Sequence, residues 1–186
     1  AQRLAENNLR LYADGEFDVI VTDCSSCAAF LKKYPRLFPQ DSPWHSTATD
    51  YAARVRDIVE VVLPEAPRMV AGKTEKVIAT YHDPCQSARN SGVIEGPRYV
   101  LRQLTSDFRE MTPNREYNLC CGGGGGLVAL ENEEFREETG KAKVNQIKET
   151  GATIVATSCE NCHTQLKFLN ERYKMGIEVE FLTNLV

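Results

Sequence analysis

This sequence has neither an excess of basic residues nor a long apolar run, and both absences narrow its function. Its 22 Lys and Arg are outnumbered by 26 Asp and Glu, which gives a formal net charge of −4. Nucleic-acid phosphates usually require a basic surface, so no nucleic-acid partner is expected. No apolar run reaches the roughly 20 residues of a membrane-spanning helix. Since no secretory leader is recognisable either, we expect a cytoplasmic protein, which can still associate peripherally with the cytoplasmic face of a membrane complex.

Cysteine, in contrast, is abundant, with seven residues in a chain of 186. A disulfide framework is expected mainly in small secreted domains. Here the cysteines lie among strand and helix patterns in a chain with the 42% hydrophobic and 26% charged residues of a globular protein. That setting favours metal binding or redox chemistry over a disulfide scaffold.

An internal repeat relates the beginning of the chain to its end. Residues 17–34 and 152–169 align at a constant offset of 135, and each copy has an apolar strand, a C-x2-C pair and a helical segment. The first copy has no counterparts of the cysteines at 85, 120 and 121 before it. We therefore expect residues 1–68 to be the C-terminal part of a first cysteine-rich repeat, and 69–186 to be a complete second repeat after a linker at 64–67.

Strand and helix patterns alternate along the chain. Strands are predicted at 76–81, 153–158 and 177–181. Helices are predicted at 4–12 and 134–149, from Pro97 through Leu104, and as one amphipathic helix from Ala48 to Val62. Alternation of this kind predicts an α/β fold with a layered, mostly parallel sheet flanked by helices. Ligand sites in such sheets commonly lie beyond the carboxyl ends of the strands.

Five cysteines have the spacing of a metal-cluster site, C-x34-CC-x37-C-x2-C. They are Cys85, Cys120, Cys121, Cys159 and Cys162. Thiolates favour iron–sulfur clusters, zinc and copper(I) over hard cations. Adjacent side chains point apart in a regular strand, so Cys120 and Cys121 can share a centre only from a distorted turn or across a multi-iron cluster. The glycines at 122–126 permit that turn and let backbone N–H groups approach cluster sulfides.

The residues alone leave several kinds of site open. Five thiols exceed the four ligands of structural zinc, which favours a cluster of several irons. A zinc-stabilised structural or docking module stays an alternative, and so does a thiol–disulfide oxidoreductase that uses Cys159 and Cys162 directly. Cys24 and Cys27 are weaker metal-ligand candidates because the first copy lacks the other cysteines. His82 either serves the centre as a hydrogen-bond or proton donor or is a packed histidine.

Three segments carry a resemblance to a known family. HDPC (82–85), NLCCGGGGGL (118–127) and CENC (159–162) resemble the cysteine-rich CCG domain. That domain recurs in heterodisulfide reductase catalytic subunits, in related respiratory complexes of sulfate reducers, and in iron–sulfur subunits of glycolate or lactate oxidases. The resemblance covers almost all of 76–186, and residues 1–62 resemble the preceding copy in the same family.

The resemblance implies a [4Fe-4S] cluster, noncubane in the heterodisulfide reductase branch, with the five cysteines as ligands. It implies an iron–sulfur component of an oxidoreductase that transfers electrons or reduces a disulfide or heterodisulfide. In the glycolate and lactate oxidase branch the same component relays electrons. The implied partners are subunits that carry flavin or ferredoxin-type clusters, with a disulfide or thiol as substrate. Gln86 stands where family members often have histidine, which puts a proton-donating role at that position in doubt.

Overall fold

All strand pairs in the described part of the chain are parallel, as the sequence predicts for an α/β fold. The computed structural model describes residues 1–13, 15, 17–65, 68, 75–130 and 132–185. One sheet has two strands, β1 (Ile20–Thr22) and β2 (Val55–Asp57). The other has four strands in the order β4-β3-β5-β6. These strands are β3 (Glu75–Tyr81), β4 (Thr105–Phe108), β5 (Ile154–Thr157) and β6 (Glu178–Phe181).

Helices connect and flank these strands. They are α1 (Gln2–Ala13), α2 (Ser25–Leu31), α3 (His45–Arg54), α4 (Ile58–Val62), α5 (Glu95–Leu104), α6 (Glu133–Thr150) and α7 (Glu160–Arg172). A π-helix spans Gln86–Ser91, and short 3-10 turns lie at Tyr34–Leu37, Arg115–Tyr117, Leu127–Ala129 and Leu182–Asn184. The predicted helices at 4–12, 97–104 and 134–149 and all three predicted strands are confirmed. Across the part of the chain that the structure describes, no helix is long and apolar enough to cross a membrane.

Helices cover both faces of the four-stranded sheet. Successive side chains of a strand point to opposite faces, so adjacent residues pack against different helices. Val155 packs in a buried cluster with residues of α6 and α7, whereas its neighbour Ala156 packs in another cluster with residues of α4 and α5. The buried cluster around Val155 also contains four cysteines, so the metal-site candidates are continuous with the core. A third buried cluster joins α1, α2 and α3 to β2.

The amphipathic helix predicted from Ala48 to Val62 is wrong, because β2 interrupts it. Val55 is fully buried and pairs with Ile20 of β1. Asp57 then begins α4: its carboxylate accepts a hydrogen bond from the Val59 N–H, and the Glu60 side chain accepts one from the Asp57 N–H. This capping box starts a new helix, and the sheet pairing available to Val55 outweighs the helical spacing.

The two copies of the repeat have the same local structure. Each has a strand, then a cysteine at the N-cap of a helix, then a second parallel strand: β1, Cys24, α2 and β2 in the first, and β5, Cys159, α7 and β6 in the second. The predicted boundary at Met69 and half of the predicted linker, Ala66 and Pro67, lie outside the described residues. The division into two repeats therefore stays a prediction.

Candidate metal centre

The three segments that carry the five cysteines of the cluster motif meet beyond the carboxyl ends of the parallel strands. Cys85 follows β3 at the start of the π-helix, and Cys159 follows β5 as the N-cap of α7, with Cys162 one turn into that helix. Cys120 and Cys121 lie in the long connection between β4 and α6. Parallel strands end at one edge of a sheet, which is why loops so distant in sequence come together here.

Sulfur–sulfur contacts connect these loops. The Cys121 and Cys162 Sγ atoms are 3.4 Å apart. The Cys120 thiol raises the pKa of Cys85, and the Cys162 thiol lowers the pKa of Cys159. Cys121, Cys159 and Cys162 are buried, Cys85 is half-buried and Cys120 is exposed. The centre therefore has a closed side within the core and an open side at Cys85 and Cys120.

A left-handed turn follows the paired cysteines. Gly122 has φ +87°, a backbone conformation that L side chains rarely adopt. Its N–H donates to the Cys120 Sγ at 3.4 Å, and the Gly123 N–H donates to the Cys121 Sγ at 3.4 Å. The predicted distorted turn is thus present, and its backbone N–H groups point at cysteine sulfur.

Cys24 from the first repeat also reaches this centre. It is buried, and its Sγ lies 3.9 Å from that of Cys159. Hydrogen bonds fix the two copies to each other: the Ser25 Oγ donates to the Ser158 backbone carbonyl at 2.8 Å, and the Ser26 Oγ lies 3.3 Å from the Cys159 Sγ. Cys27, in contrast, is exposed. The sequence does not predict this sulfur contact, which depends on how the two copies pack.

The crowded cysteine thiols shift one another's pKa values. The pKa of Cys120 is lowered, mainly by its neighbour Cys121. The pKa of Cys159 is lowered in the same way, mainly by Cys162. The pKa of Cys121 is raised to about 12, chiefly by Cys120. Neighbouring thiols cannot all ionise without added positive charge. Bound metal ions supply that charge, and the thiols that coordinate them are therefore deprotonated.

Of the two histidines near the C-x2-C pair and HDPC, only His82 faces the sulfurs. One of its ring nitrogens and the Sγ atoms of Cys121 and Cys162 all lie within 4.8 Å of one another. His82 is fully buried, and neither ring nitrogen has a hydrogen-bond partner among the described residues. Burial lowers the pKa of His82 to about 3, so its ring is neutral. His163 instead lies against Phe181, with ring centroids 4.2 Å apart, and its Nε2 is 3.2 Å from the Val179 carbonyl oxygen.

Asp83 of the HDPC segment holds the loops around the centre. Both of its carboxylate oxygens accept hydrogen bonds from Arg98 at 2.7 Å, and one also accepts from the Arg115 N–H at 2.8 Å. Arg98 is fully buried and pairs with Glu110 as well, at 2.8 Å. Asp83 thereby joins the β3 exit, which carries Cys85, to the loop that leads to Cys120. An isolated arginine on a helix is usually a surface residue, whereas Arg98 is fully buried.

Known proteins match this chain over most of its length. The family model for the CCG cysteine-rich domain matches residues 1–32 and 79–167. These two ranges contain all seven cysteines, including every residue of the sulfur contacts described above.

Among curated relatives, a subunit of the dihydromethanophenazine:CoB–CoM heterodisulfide reductase of Methanosarcina barkeri is 30% identical over the whole chain and 44% of its own length. Lactate utilization protein A of Oceanobacillus iheyensis is 26% identical over the whole chain and 74% of its own length. Iron–sulfur subunit 2 of an Hdr-like menaquinol oxidoreductase of Archaeoglobus fulgidus is 36% identical over 63% of this chain and 22% of its own. The chain thus spans less than half the length of the first and third of these relatives.

Proposed function

Because the chain belongs to the cysteine-rich CCG domain family, we propose that it is an iron–sulfur subunit or domain of an oxidoreductase. One [4Fe-4S] cluster would be bound by Cys85, Cys120, Cys121, Cys159 and Cys162. The observation that carries this proposal is the convergence of three distant segments, with a His82 ring nitrogen and the Sγ atoms of Cys121 and Cys162 within 4.8 Å of one another. The names of the relatives, which include an iron–sulfur subunit of a menaquinol oxidoreductase, support a redox role.

The donor set suits a cluster of several irons better than one zinc ion. Structural zinc takes four ligands in a tetrahedron, whereas the three converging segments carry five candidate thiols. The N–H groups of Gly122 and Gly123 already donate to sulfur, as hydrogen bonds around a cluster do. Buried His82 has hydrogen-bonding capacity that no described residue uses, and it faces the same sulfurs.

An iron–sulfur cluster at this position would supply one-electron transfer. The chain's residues would hold it, with Cys121, Cys159 and Cys162 excluding water on the closed side. Cys85 and Cys120 lie on the open side, where a redox partner or a sulfur substrate can approach. His82 would donate a hydrogen bond to a sulfur of the centre as a neutral ring.

Two substrate classes follow from the relatives. The heterodisulfide reductase likeness favours a disulfide or thiol substrate that reacts at the open side of the centre. The likeness to lactate utilization protein A favours an electron relay beside a flavin or ferredoxin-type subunit, as in glycolate or lactate oxidation. Either role involves other subunits of a redox complex, with peripheral association at the cytoplasmic face of a membrane as one arrangement. We favour the first class, since its relative is the more similar over the full chain.

Cys24 and Cys27 would belong to the site of the preceding repeat. The aligned positions of Cys24 and Cys159, each at a helix N-cap after a parallel strand, support residues 1–68 as part of a first repeat and 69–186 as a second. In this proposal Cys27 is not a ligand of the centre in the second repeat.

Metal analysis tests the proposal directly. Protein purified without oxygen should contain about four irons and four acid-labile sulfides for the centre, and should give a low-temperature EPR signal in one oxidation state. Stoichiometric zinc without sulfide would instead establish the zinc-stabilised module. Disulfide reduction that continues after iron is removed would establish a thiol–disulfide oxidoreductase.

Replacing Cys121 with Ser should abolish or convert the centre, because a buried thiolate ligand is lost. The metal-free variant should remain folded, since apolar residues of α6, α7 and β5 surround this position. Iron content, sulfide content and EPR measure the effect. Cys27→Ser is the matched control at an exposed thiol, and it should keep the centre of the second repeat. A wild-type EPR spectrum from Cys121→Ser would contradict five-thiolate binding.

A further inference from the structure

Lys143 is a buried lysine without a carboxylate partner among the described residues. Lys143 of α6 is fully buried. The ion pairs formed by the described residues do not include it. Its ammonium donates to the Gln146 side-chain oxygen and lies 3.6 Å from the Met111 Sδ, both uncharged groups. An ammonium buried without a compensating negative charge costs several kcal/mol.

The candidate centre lies near Lys143, because Met111 contacts the ammonium and packs in one buried cluster with Cys121 and Cys162. Burial lowers the pKa of Lys143 to about 8, and the groups that act against this are Cys121, Asp83, Cys162 and Cys120. Asp83 is already neutralised by its bidentate pair with Arg98. The cysteine sulfurs are therefore the negative groups left for the ammonium to offset.

Neighbouring contacts hold the ammonium in place. The Gln146 side-chain N–H donates to the Pro113 carbonyl oxygen at 2.6 Å, which fixes the amide that accepts from Lys143. Met111 belongs to the same buried cluster as Cys121 and Cys162. The charge is thus placed in a low-dielectric region, where its effect on a nearby charge is larger than at the surface.

We propose that Lys143 is the counter-cation of the sulfur centre and raises its reduction potential. This inference rests on the proposed function, because it requires a negatively charged cluster beside the ammonium. A fixed positive charge at Lys143 would stabilise the more negatively charged, reduced form of a bound cluster relative to its oxidised form. In this role Lys143 acts through the electric field of its ammonium group and does not bind the cluster.

The test compares Lys143→Met and Lys143→Gln with wild type in EPR-monitored redox titrations of the iron–sulfur protein. Both neutral variants should shift the reduction potential to more negative values by similar amounts, because both remove the charge. Lys143→Arg should keep the wild-type potential. The matched control is Lys141→Met, on the same helix but exposed, which should leave the potential unchanged.

Stability of the metal-free protein provides the second measurement. If Lys143 compensates the cluster, the metal-free Lys143→Met protein should be at least as stable as wild type, because an uncompensated buried charge is removed. A merely structural lysine predicts the opposite: lower stability in Lys143→Met and an unchanged potential. Wild-type potentials in both Lys143→Met and Lys143→Gln would overturn this inference alone, whereas a wild-type protein without iron and sulfide would overturn the proposed function and this inference with it.

Discussion

At the scale of single residues, one glycine makes possible the turn that follows the two adjacent cysteines of the candidate centre. Gly122 adopts φ +87°, and a Cβ added there would lie 2.8 Å from the Gly140 backbone nitrogen. Real Cβ atoms essentially never approach backbone so closely, so the position excludes a side chain by conformation and by space. Gly124 in the same run has open space instead. The five glycines are therefore not equivalent.

Gly122→Ala should lower the free energy of unfolding by about 1–2 kcal/mol from the left-handed backbone alone. The contact with α6 should add to that loss. Urea unfolding of the metal-free protein measures the change, and Gly124→Ala is the control with the same added methyl group. Equal stability of the two variants would show that the turn does not require its left-handed conformation.

The sequence indicates the candidate ligands more readily than the residues that support them. Cysteine spacing is sufficient to propose Cys85, Cys120, Cys121, Cys159 and Cys162 as candidates. Nothing in the spacing of Arg98 or Lys143 indicates complete burial, because isolated basic residues on helices are usually exposed. Their placement follows from loops that meet only in the folded chain. The HDPC segment does indicate that Asp83 has a buried partner, because an acidic residue between a strand and a candidate ligand needs a cation or hydrogen-bond donors if it is buried.

At the scale of elements, strand pairing overrides a helical pattern. The apolar residues from Ala48 to Val62 have helical spacing, yet β2 divides this segment into α3 and α4. Hydrophobic periodicity indicates which residues face the core, but it does not indicate that a neighbouring strand, here β1, is available for pairing. The pair Asp57 and Glu60 is a capping-box signal that sequence reasoning could have used to find the start of α4.

Asp57→Ala should destabilise the protein by about 1 kcal/mol, the usual cost of losing an N-cap side chain. The physical reason is that the Val59 N–H loses its acceptor at the start of α4. The midpoint of urea unfolding measures this change. Asp50→Ala, which removes an exposed carboxylate from α3, should be close to neutral. A neutral result for Asp57→Ala would mean that the cap contributes nothing to this helix start.

At the scale of the whole molecule, the site depends on one sheet edge and one buried ion pair. The α/β class and the parallel strands are predictable from strand and helix alternation, and so is the position of the cysteines after strand ends. The contact of Cys24 with Cys159 is not predictable in this way, because it depends on how two short sheets pack. The Arg98–Asp83 pair is not predictable either, since it joins α5 to the loop after β3 and these segments meet only in the folded chain.

Arg98→Met should cost about 3–5 kcal/mol, because it leaves the Asp83 carboxylate buried without its cation. Denaturant unfolding of the metal-free protein measures the loss. The control is Arg102→Met, one turn further along α5, where the side chain is 51% exposed and its contact with Glu110 is 3.7 Å. That variant should stay within about 0.5 kcal/mol of wild type.

The double variant Arg98→Met with Asp83→Leu separates two causes of the loss at this ion pair. If the cost of Arg98→Met comes from an uncompensated charge, removing the carboxylate as well should restore part of the stability, because an apolar pair can replace a buried ion pair. If the cost comes from lost hydrogen bonds to the loops, the double variant should be less stable still, since Asp83 also accepts from the Arg115 N–H. The second outcome would make Asp83 primarily a loop anchor, and iron content would then fall together with stability.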